Sequence, residues 1–548
     1  MNKYFIPYLL FFVVALFYSC NQAKNINKND LPKTPKISLA IKTAPVLIQK
    51  AENVVATVTI SQAKETTSVL TGLSLRFNDS NTAELLDKIK VYSSGKPNNL
   101  NKAVIFGSTE EIEPLTAIQG NATLDKIENF FVISLTAKKN ADIGQTISIK
   151  EIILEFDYKL TDTIEFDSNH LIRLGQVIRQ QGQDNCDTYR IPGLVTTSEG
   201  SLIAVYDARY NNAKDLQEDI DIGMSRSTDG GQTWEPMKII MDMGEWGARP
   251  QKLNGVGDPC VLYDVNTKTI WVAALWMSGA TEKDMLWWAS QPGMKPEVTG
   301  QFILVKSTDD GLTWSDPINI TGQIKEPGWQ LLLQGPGRGI SMKDGTIIFP
   351  AQFKANIGVQ AIDGGQFTCH STIVYSKDHG QTWSIGTGAK SNTTEAQVVE
   401  LSDGSLMLNM RDDRNRSDKS ETNGRAVSLT NNLGATWTTH TTSNSALPES
   451  NCMASIIGAD VKIGNEMKHV LFFSNPNNKY QRSNMTIKAS LDEGQTWPLQ
   501  FQLELNEDTG YGYSCLTMVD PQTIGVLYEG VKELYFQKIA IADILGAN

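Results

Sequence analysis

The chain has 548 residues, 40% hydrophobic and 20% charged, an ordinary globular mixture too long for one typical domain. Its 49 Lys+Arg against 61 Asp+Glu give a net charge of −12. This argues against nucleic acid, whose affinity rests on neutralised phosphates, and against a polybasic membrane surface. Five histidines and six cysteines, none in CxxC or HxxxH spacing, argue against a structural zinc site.

The first twenty residues read as an export signal. Lys3 supplies the positive region, and the 14-residue apolar run Phe5 to Tyr18 is shorter than the roughly 20 residues a membrane span needs. The run ends at Ser19-Cys20 with polar Asn21-Gln22 behind it, which resembles a bacterial lipoprotein signal in which Cys20 becomes the lipidated first residue. Tyr18 is bulkier than that motif favours, so plain secretory cleavage is the alternative. Either way the expected location is outside the cytoplasm: periplasmic, anchored at the outer membrane, or secreted. No later segment reads as a membrane span, and the five cysteines left are an odd, scattered set, not a disulfide framework.

Residues 21–36, with Pro32 and Pro35, read as a linker. Residues 37–167 carry strand-like runs, among them Val54 to Ile60, Phe130 to Leu135 and Ile147 to Leu154, and predict a β-sandwich, jelly-roll-like, without candidate chemistry. Such a domain either binds a glycan or braces its neighbour, and bracing is the preferred reading.

From about 170 to 548 an octet S-x-D-x-G-x-T-W recurs. It runs Ser227 to Trp234, Ser307 to Trp314, Ser376 to Trp383 and Ser490 to Trp497, with a degenerate copy from Thr430 to Trp437. Five of the 11 tryptophans sit in this motif, about 66 residues apart on average. Asp accepting from backbone N–H groups, Gly at positive φ and Trp packing under the turn make a hairpin tip. A four-stranded blade needs about 40 to 50 residues, so the stretch holds six blades of a β-propeller with long loops. The repeated aspartates are read as structural, since a mechanism needs one acid and not five equivalent ones.

These octets are Asp boxes, and the motifs between them resemble the sialidases (exo-α-sialidases, neuraminidases) in order and spacing. Tyr189-Arg190-Ile191-Pro192 is followed by Asp207-Ala-Arg209, Asp215 and the first box. Thr394-Glu395 leads to Asn409-Met410-Arg411, Ser474-Asn475-Pro476 precedes Arg482, and Tyr511-Gly-Tyr513-Ser514 precedes Leu527-Tyr528-Glu529. The resemblance covers residues 180–530.

It implies an all-β enzyme that removes terminal sialic acid from glycoproteins, glycolipids and oligosaccharides, with no metal and no cofactor. Arg190, Arg411 and Arg482 match the three arginines that hold the substrate carboxylate, a task suited to a planar, permanently charged fork. Glu529 matches the residue orienting the first arginine; Arg209 and Asp258 match residues contacting the ring substituents. Tyr513 matches the nucleophile and Glu395 its carboxylate partner, with Tyr511 and Glu400 as rivals. A carboxylate nucleophile would meet the substrate's own carboxylate, and two unit charges about 4 Å apart repel by roughly 4 kcal/mol at an effective dielectric of 20. A neutral tyrosine avoids that repulsion, and sialidases with a tyrosine nucleophile are an exception to the two-carboxylate pattern of glycosidases. Asp215 matches the acid/base, with Glu218, Asp219 and Asp221 as rivals. The stretch Trp276 to Trp288, with the glycine loop Gln334 to Gly339, is expected to line the aglycone or glycerol side; Arg338 there matches no family role. Two alternatives share the scaffold. A trans-sialidase, including an intramolecular one, would use the same residues, whereas a non-catalytic sialic-acid lectin would need the arginines but not Tyr513, Glu395 and Asp215.

Overall fold

The computed structural model describes residues 35–62, 68–157, 161–167, 169–281, 283 and 285–546. The export signal, Cys20 and nearly all of the linker lie outside the described residues. Among the described residues, no helix is long and apolar enough to cross a membrane.

The N-terminal part is a two-sheet sandwich. The order in one sheet is Lys36–Ile41, Asn53–Ser61, Glu128–Ala137, Leu86–Ser94 and Val104–Thr109. The other runs Thr161–Glu165, Ile149–Phe156, Val69–Phe77 and Leu115–Thr123. Alternating apolar residues of both sheets, such as Val58, Ile60, Leu73, Leu75, Ile133 and Leu154, fill the space between them.

Six antiparallel sheets follow as propeller blades. Blade one is Thr188–Thr196, Leu202–Arg209, Ile220–Ser227 and Lys238–Met241 in that order. The first strands of blades two to six are Val256–Asp264, Leu331–Gln334, Thr393–Glu400, Ser455–Ile463 and Ser514–Asp520. The last blade is closed by a strand from before the first, because Ile172–Arg179 pairs antiparallel with Leu534–Ala540. Val46–Ile48 of the N-terminal part then adds a parallel strand outside Ile172–Arg179. A single apolar core consequently runs from the sandwich through Val46 and Leu174 to Tyr189, Tyr206, Leu527 and Phe536 of blades one and six.

Every Asp box forms the turn between the third and fourth strands of its blade, in blades one to five. Blade six has no box because its fourth strand arrives from residues 172–179 and that hairpin does not exist. In the first box Ser227 Oγ donates to Asp229 Oδ1 (2.8 Å) and accepts from Gly231 N (2.9 Å). Asp229 also accepts from Thr233 N (2.9 Å) and Thr233 Oγ1 (2.6 Å). The degenerate copy keeps this pattern: Asn432 Oδ1 accepts from Thr436 N at 3.0 Å and Asn432 Nδ2 donates to Thr436 Oγ1 at 2.9 Å. The box carboxylates are consumed by their own turn, as expected of structural residues.

Candidate active site

First strands start, and second strands end, on the face opposite the boxes, and the candidate residues gather there. The first strands of blades one, two and four each lose register at this end, between Arg190 and Gly193, Gly257 and Cys260, and Thr393 and Ala396. Such bulges re-aim a side chain away from the pleat, and they do so at Arg190, Asp258 and Glu395. Two carry left-handed backbone, Ile191 at φ 59° and Asp258 at φ 60°. A β-branched residue in that region is strained by about 1–3 kcal/mol. The Ile191 N–H is held there by Glu529 Oε1 at 2.9 Å.

Glu529, at the end of the second strand of blade six, is the hinge of the arrangement. Its buried carboxylate accepts from Arg190 Nε (3.1 Å) and Ile191 N through one oxygen, and from Tyr513 N (2.9 Å) through the other. One side chain therefore fixes the first arginine and the backbone of the tyrosine together.

Three arginines converge on Tyr513. The Arg190 and Arg482 guanidinium carbons lie 5.1 and 5.6 Å from its ring centre, and Arg411 Nη1 lies 3.2 Å from its hydroxyl. The hydroxyl donates to Glu395 Oε1, while Glu395 Oε2 accepts from Arg411 at 2.6 Å. Burial, and then the Glu395 charge, hold the Tyr513 phenol well above its usual range even against the arginines. Burial pushes Glu395 up, but Arg411 and the tyrosine hydroxyl outweigh it and hold the carboxyl below its ordinary value. The pair at neutral pH is a neutral phenol facing an ionised base.

The rivals separate by position. Tyr511 stacks its ring on Arg190, 4.8 Å from the guanidinium carbon, while the Tyr513 hydroxyl is the one that meets Glu395, and Glu400 accepts from Lys343 N at the far end of its strand. Asp215 accepts from Arg209 at 2.8 Å and Arg190 at 3.4 Å, with its side chain 60% exposed. Glu218 accepts from Asn211 and Asp221 from Tyr210, and Asp219 stands among the carboxylates of Asp242 and Glu218. Partial desolvation at the cavity edge raises Asp215, yet the Arg209 and Arg190 guanidiniums beside it outweigh this and hold the carboxyl below its ordinary value.

Arg209 is placed differently from the expectation of a sugar-contacting residue. It is buried, with its donors taken by Asp207 (2.8 and 3.1 Å), Ala213 O (2.8 Å) and Asp215, so it stands beneath the acid/base candidate. Asp258 borders the open space, and burial together with the Asp207 and Asp215 charges holds its carboxyl well above the ordinary range.

A cavity of about 330 Å³ opens in front of these groups, bordered by Asp215, Asp258, Glu395, Arg411 and Tyr513. Its far wall is apolar: Leu286, Trp287 and Trp288 of a short helix with Leu331 and Leu333. The expected lining role of the stretch ending at Trp288 thus falls on its last residues. In the glycine loop, Gln334 donates to Asp258 O, whereas Arg338 points to Leu516 O at 3.2 Å, away from the cavity.

Several residues of the site carry no signal that motif reading catches. Asn451 accepts from Arg411 Nη2 (2.9 Å) through its side chain and from Arg482 Nη2 (3.1 Å) through its carbonyl. Its φ of 57° is a conformation Asn tolerates. Lys354 is fully buried between Trp287 and Trp288, 4.3 and 4.5 Å from their rings, and paired with Asp363 at 3.1 Å.

A propeller with Asp boxes and one arginine-ringed tyrosine defines a class of carbohydrate-cleaving enzyme, and the comparisons narrow it. Residues 35–158 match the N-terminal domain of BNR-repeat neuraminidase, and residues 191–500 match a BNR repeat-like domain. A sialidase of Bacteroides fragilis (strain YCH46) is 48% identical over 432 residues, 78% of this chain and 76% of the relative. A sialidase of Paraclostridium sordellii is 31% identical over 361 residues, 63% of this chain and 82% of the relative. Among solved structures, the Hadza microbial sialidase Hz136 superimposes with a TM-score of 0.83 at 39% identity, covering 92% of this chain and 99% of that one. The chain belongs to the sialidases, glycoside hydrolases of the BNR-repeat neuraminidase family.

Proposed function

We propose that the chain is an exo-α-sialidase acting with retention of configuration through a sialyl-tyrosine, on terminal sialic acids of glycoconjugates. The observation that carries this reading is the Tyr513–Glu395 hydrogen bond inside a ring of three arginines.

The sugar carboxylate sits against Arg190, Arg411 and Arg482, which places the anomeric carbon over the Tyr513 hydroxyl. Tyr513 Oη bonds to that carbon while its proton passes to Glu395, the activated-nucleophile arrangement. The glycosidic C–O bond breaks, and the leaving oxygen takes a proton from Asp215. In the second half Asp215 removes a proton from water, the water oxygen displaces Tyr513, and Glu395 returns the phenol's proton.

Asp215 must carry a proton to begin, although Arg209 and Arg190 favour its ionised form. The arriving substrate carboxylate supplies the change. It offsets the charge of Arg190 and excludes water, so the burial effect gains on the remaining pairing with Arg209 and the Asp215 pKa rises.

The test is hydrolysis of a small fluorogenic α-sialoside by the purified protein beside Tyr513→Phe and a chelator-treated sample. We expect turnover to survive chelation and to fall about 10³-fold or more in Tyr513→Phe, the scale seen when a nucleophile is removed. No turnover by the folded, unaltered protein would favour a lectin; turnover that survives in the variant would exclude Tyr513 as nucleophile. We also propose that the chain is exported and anchored by a lipid on Cys20; fatty-acid labelling that persists in Cys20→Ser would refute the anchor.

A further inference from the structure

We infer that the N-terminal domain is a strut for the loop that carries the nucleophile, so that residues 42–50 are positioning residues of the catalytic unit. The inference rests on the sialidase reading only for what that loop does.

Tyr513 lies at the end of a loop that leaves blade five after Asn506 and enters blade six at Ser514. A cavity of about 380 Å³ opens beside this loop, lined by Lys50, Arg482, Asp508, Glu529, Glu533 and Tyr535 among others. Polar ties across that space hold the loop at both ends: Glu529, Gly530 and Arg482 hold Tyr513, Tyr511 and Gly510, and the N-terminal domain holds Glu507 and Asp508. Glu507 N donates to Thr43 O at 2.8 Å, and Thr43 N donates back to Glu507 Oε2 at 3.2 Å. Lys42 pairs with Asp508 at 2.9 Å. Lys50 pairs with Glu533, whose carbonyl accepts from Gly530 N at 3.0 Å, and Gly530 O in turn accepts from Tyr511 N at 3.1 Å. Arg482 completes the relay, accepting from Gly510 N at 3.0 Å and donating to Tyr511 O at 2.8 Å.

The strut is itself anchored. Val46–Ile48 is hydrogen-bonded in register to Leu174, Gly175 and Gln176. Gln232, in the first Asp box, donates to Ala141 O at 2.7 Å and accepts from Ile143 N at 3.1 Å, pinning the sandwich to blade one. A loop held this way moves the Tyr513 hydroxyl relative to Glu395 if its ties are cut, and displacements of about 1 Å cost up to ~10²-fold in rate.

The experiment uses the full chain with Lys50→Met, Lys42→Met, their combination, Lys50→Arg as a conservative rescue, and Lys88→Met as a control. Lys88 pairs with Glu110 at 3.0 Å on the sandwich, away from the loop. Three readouts are taken: kcat and KM on a small aryl α-sialoside, the unfolding midpoint, and hydrogen exchange of residues 507–513. The double variant is expected to lose about tenfold in kcat with KM changed less than threefold. Gly510, Tyr511 and Tyr513 amides should exchange at least tenfold faster, Lys50→Arg should recover most of the single loss, and Lys88→Met should match the unaltered chain. A kcat within twofold together with unaltered exchange would overturn the strut, as would a loss shared equally by Lys88→Met. Should the unaltered chain fail to turn over, the sialidase reading fails, and the exchange rates alone decide whether the loop is held by this domain.

Discussion

The two faces of the propeller are built from the same strands and solve opposite problems. On one face five boxes repeat a turn whose Ser or Thr, Asp or Asn, Gly and Thr satisfy one another within eight residues. On the other, the blades contribute different side chains, and the central ones are tied across blade boundaries as well as within blades: Arg190 of blade one to Glu529 of blade six, and Tyr513 of blade six to Glu395 of blade four. Local closure makes a turn that tolerates loss. Closure across the ring makes a site in which one change disturbs several partners.

The largest effect expected from that contrast, after loss of the nucleophile itself, is at Glu529. Glu529→Gln points an amide at a backbone N–H and leaves Arg190 without its buried counter-charge. Breaking a buried pair in this way costs about 3–5 kcal/mol, and kcat/KM should fall at least about 100-fold, a loss of roughly 2.7 kcal/mol in transition-state binding. Denaturant unfolding and sialoside kinetics check both halves. Asp309→Ala, in the second box, should cost about 1–2 kcal/mol of stability, the scale of a lost capping interaction, with kcat unchanged. Asn432→Asp should be close to neutral, because the Asn already reproduces the bonds to Thr436. A box variant that lowers kcat would break the division between the faces.

A buried cation elsewhere sharpens it. Lys488 is buried above the Phe473 ring with Asn475 Oδ1 at 3.0 Å as its neutral partner, and burial lowers its pKa to about 7. Its folded pKa lies below the unfolded value, so between pH 7 and the unfolded lysine range the unfolded chain holds the extra proton. Stability should rise with pH there, by at most about 1.4 kcal/mol per unit. Lys488→Met should abolish that slope and be more stable than the unaltered chain at pH 7. The smallest effect belongs to Asp215. If a substrate carboxylate relieves it of Arg190, binding a non-hydrolysable sialoside near pH 5 should take up a fraction of a proton, measurable by calorimetry in buffers of different ionisation enthalpy. No uptake would break the proposed link between carboxylate recognition and the acid.

Legibility followed the same division. The boxes announce the propeller because their bonds close locally, so sequence spacing carries the whole signal. Arg190, Glu395, Arg411, Arg482, Tyr513 and Glu529 were readable through the motifs around them, and the structure brings them together. Asn451 was not, since its use depends on a carbonyl and a left-handed backbone that no residue type encodes uniquely. Arg209 matched a motif, but its burial under Asp215 is set by Asp207 and Ala213, which spacing does not reveal. Lys354 stands in no motif, and only the fold brings Trp287 and Trp288 onto it. Val46–Ile48 is three residues long, and its partner lies over a hundred residues away, so no local pattern marks it as part of the ring.

That short strand has a bearing on biosynthesis. Ile172–Arg179 is made early, yet Leu534, with which it closes the ring, is added 355 residues after Arg179. At about 5–20 residues per second this is an interval of roughly 20–70 s. An apolar strand with two open edges is in the meantime a template for pairing with other chains. Val46–Ile48, made before it and already joined to the sandwich, occupies one of those edges from the start, leaving open only the side that the last blade will take.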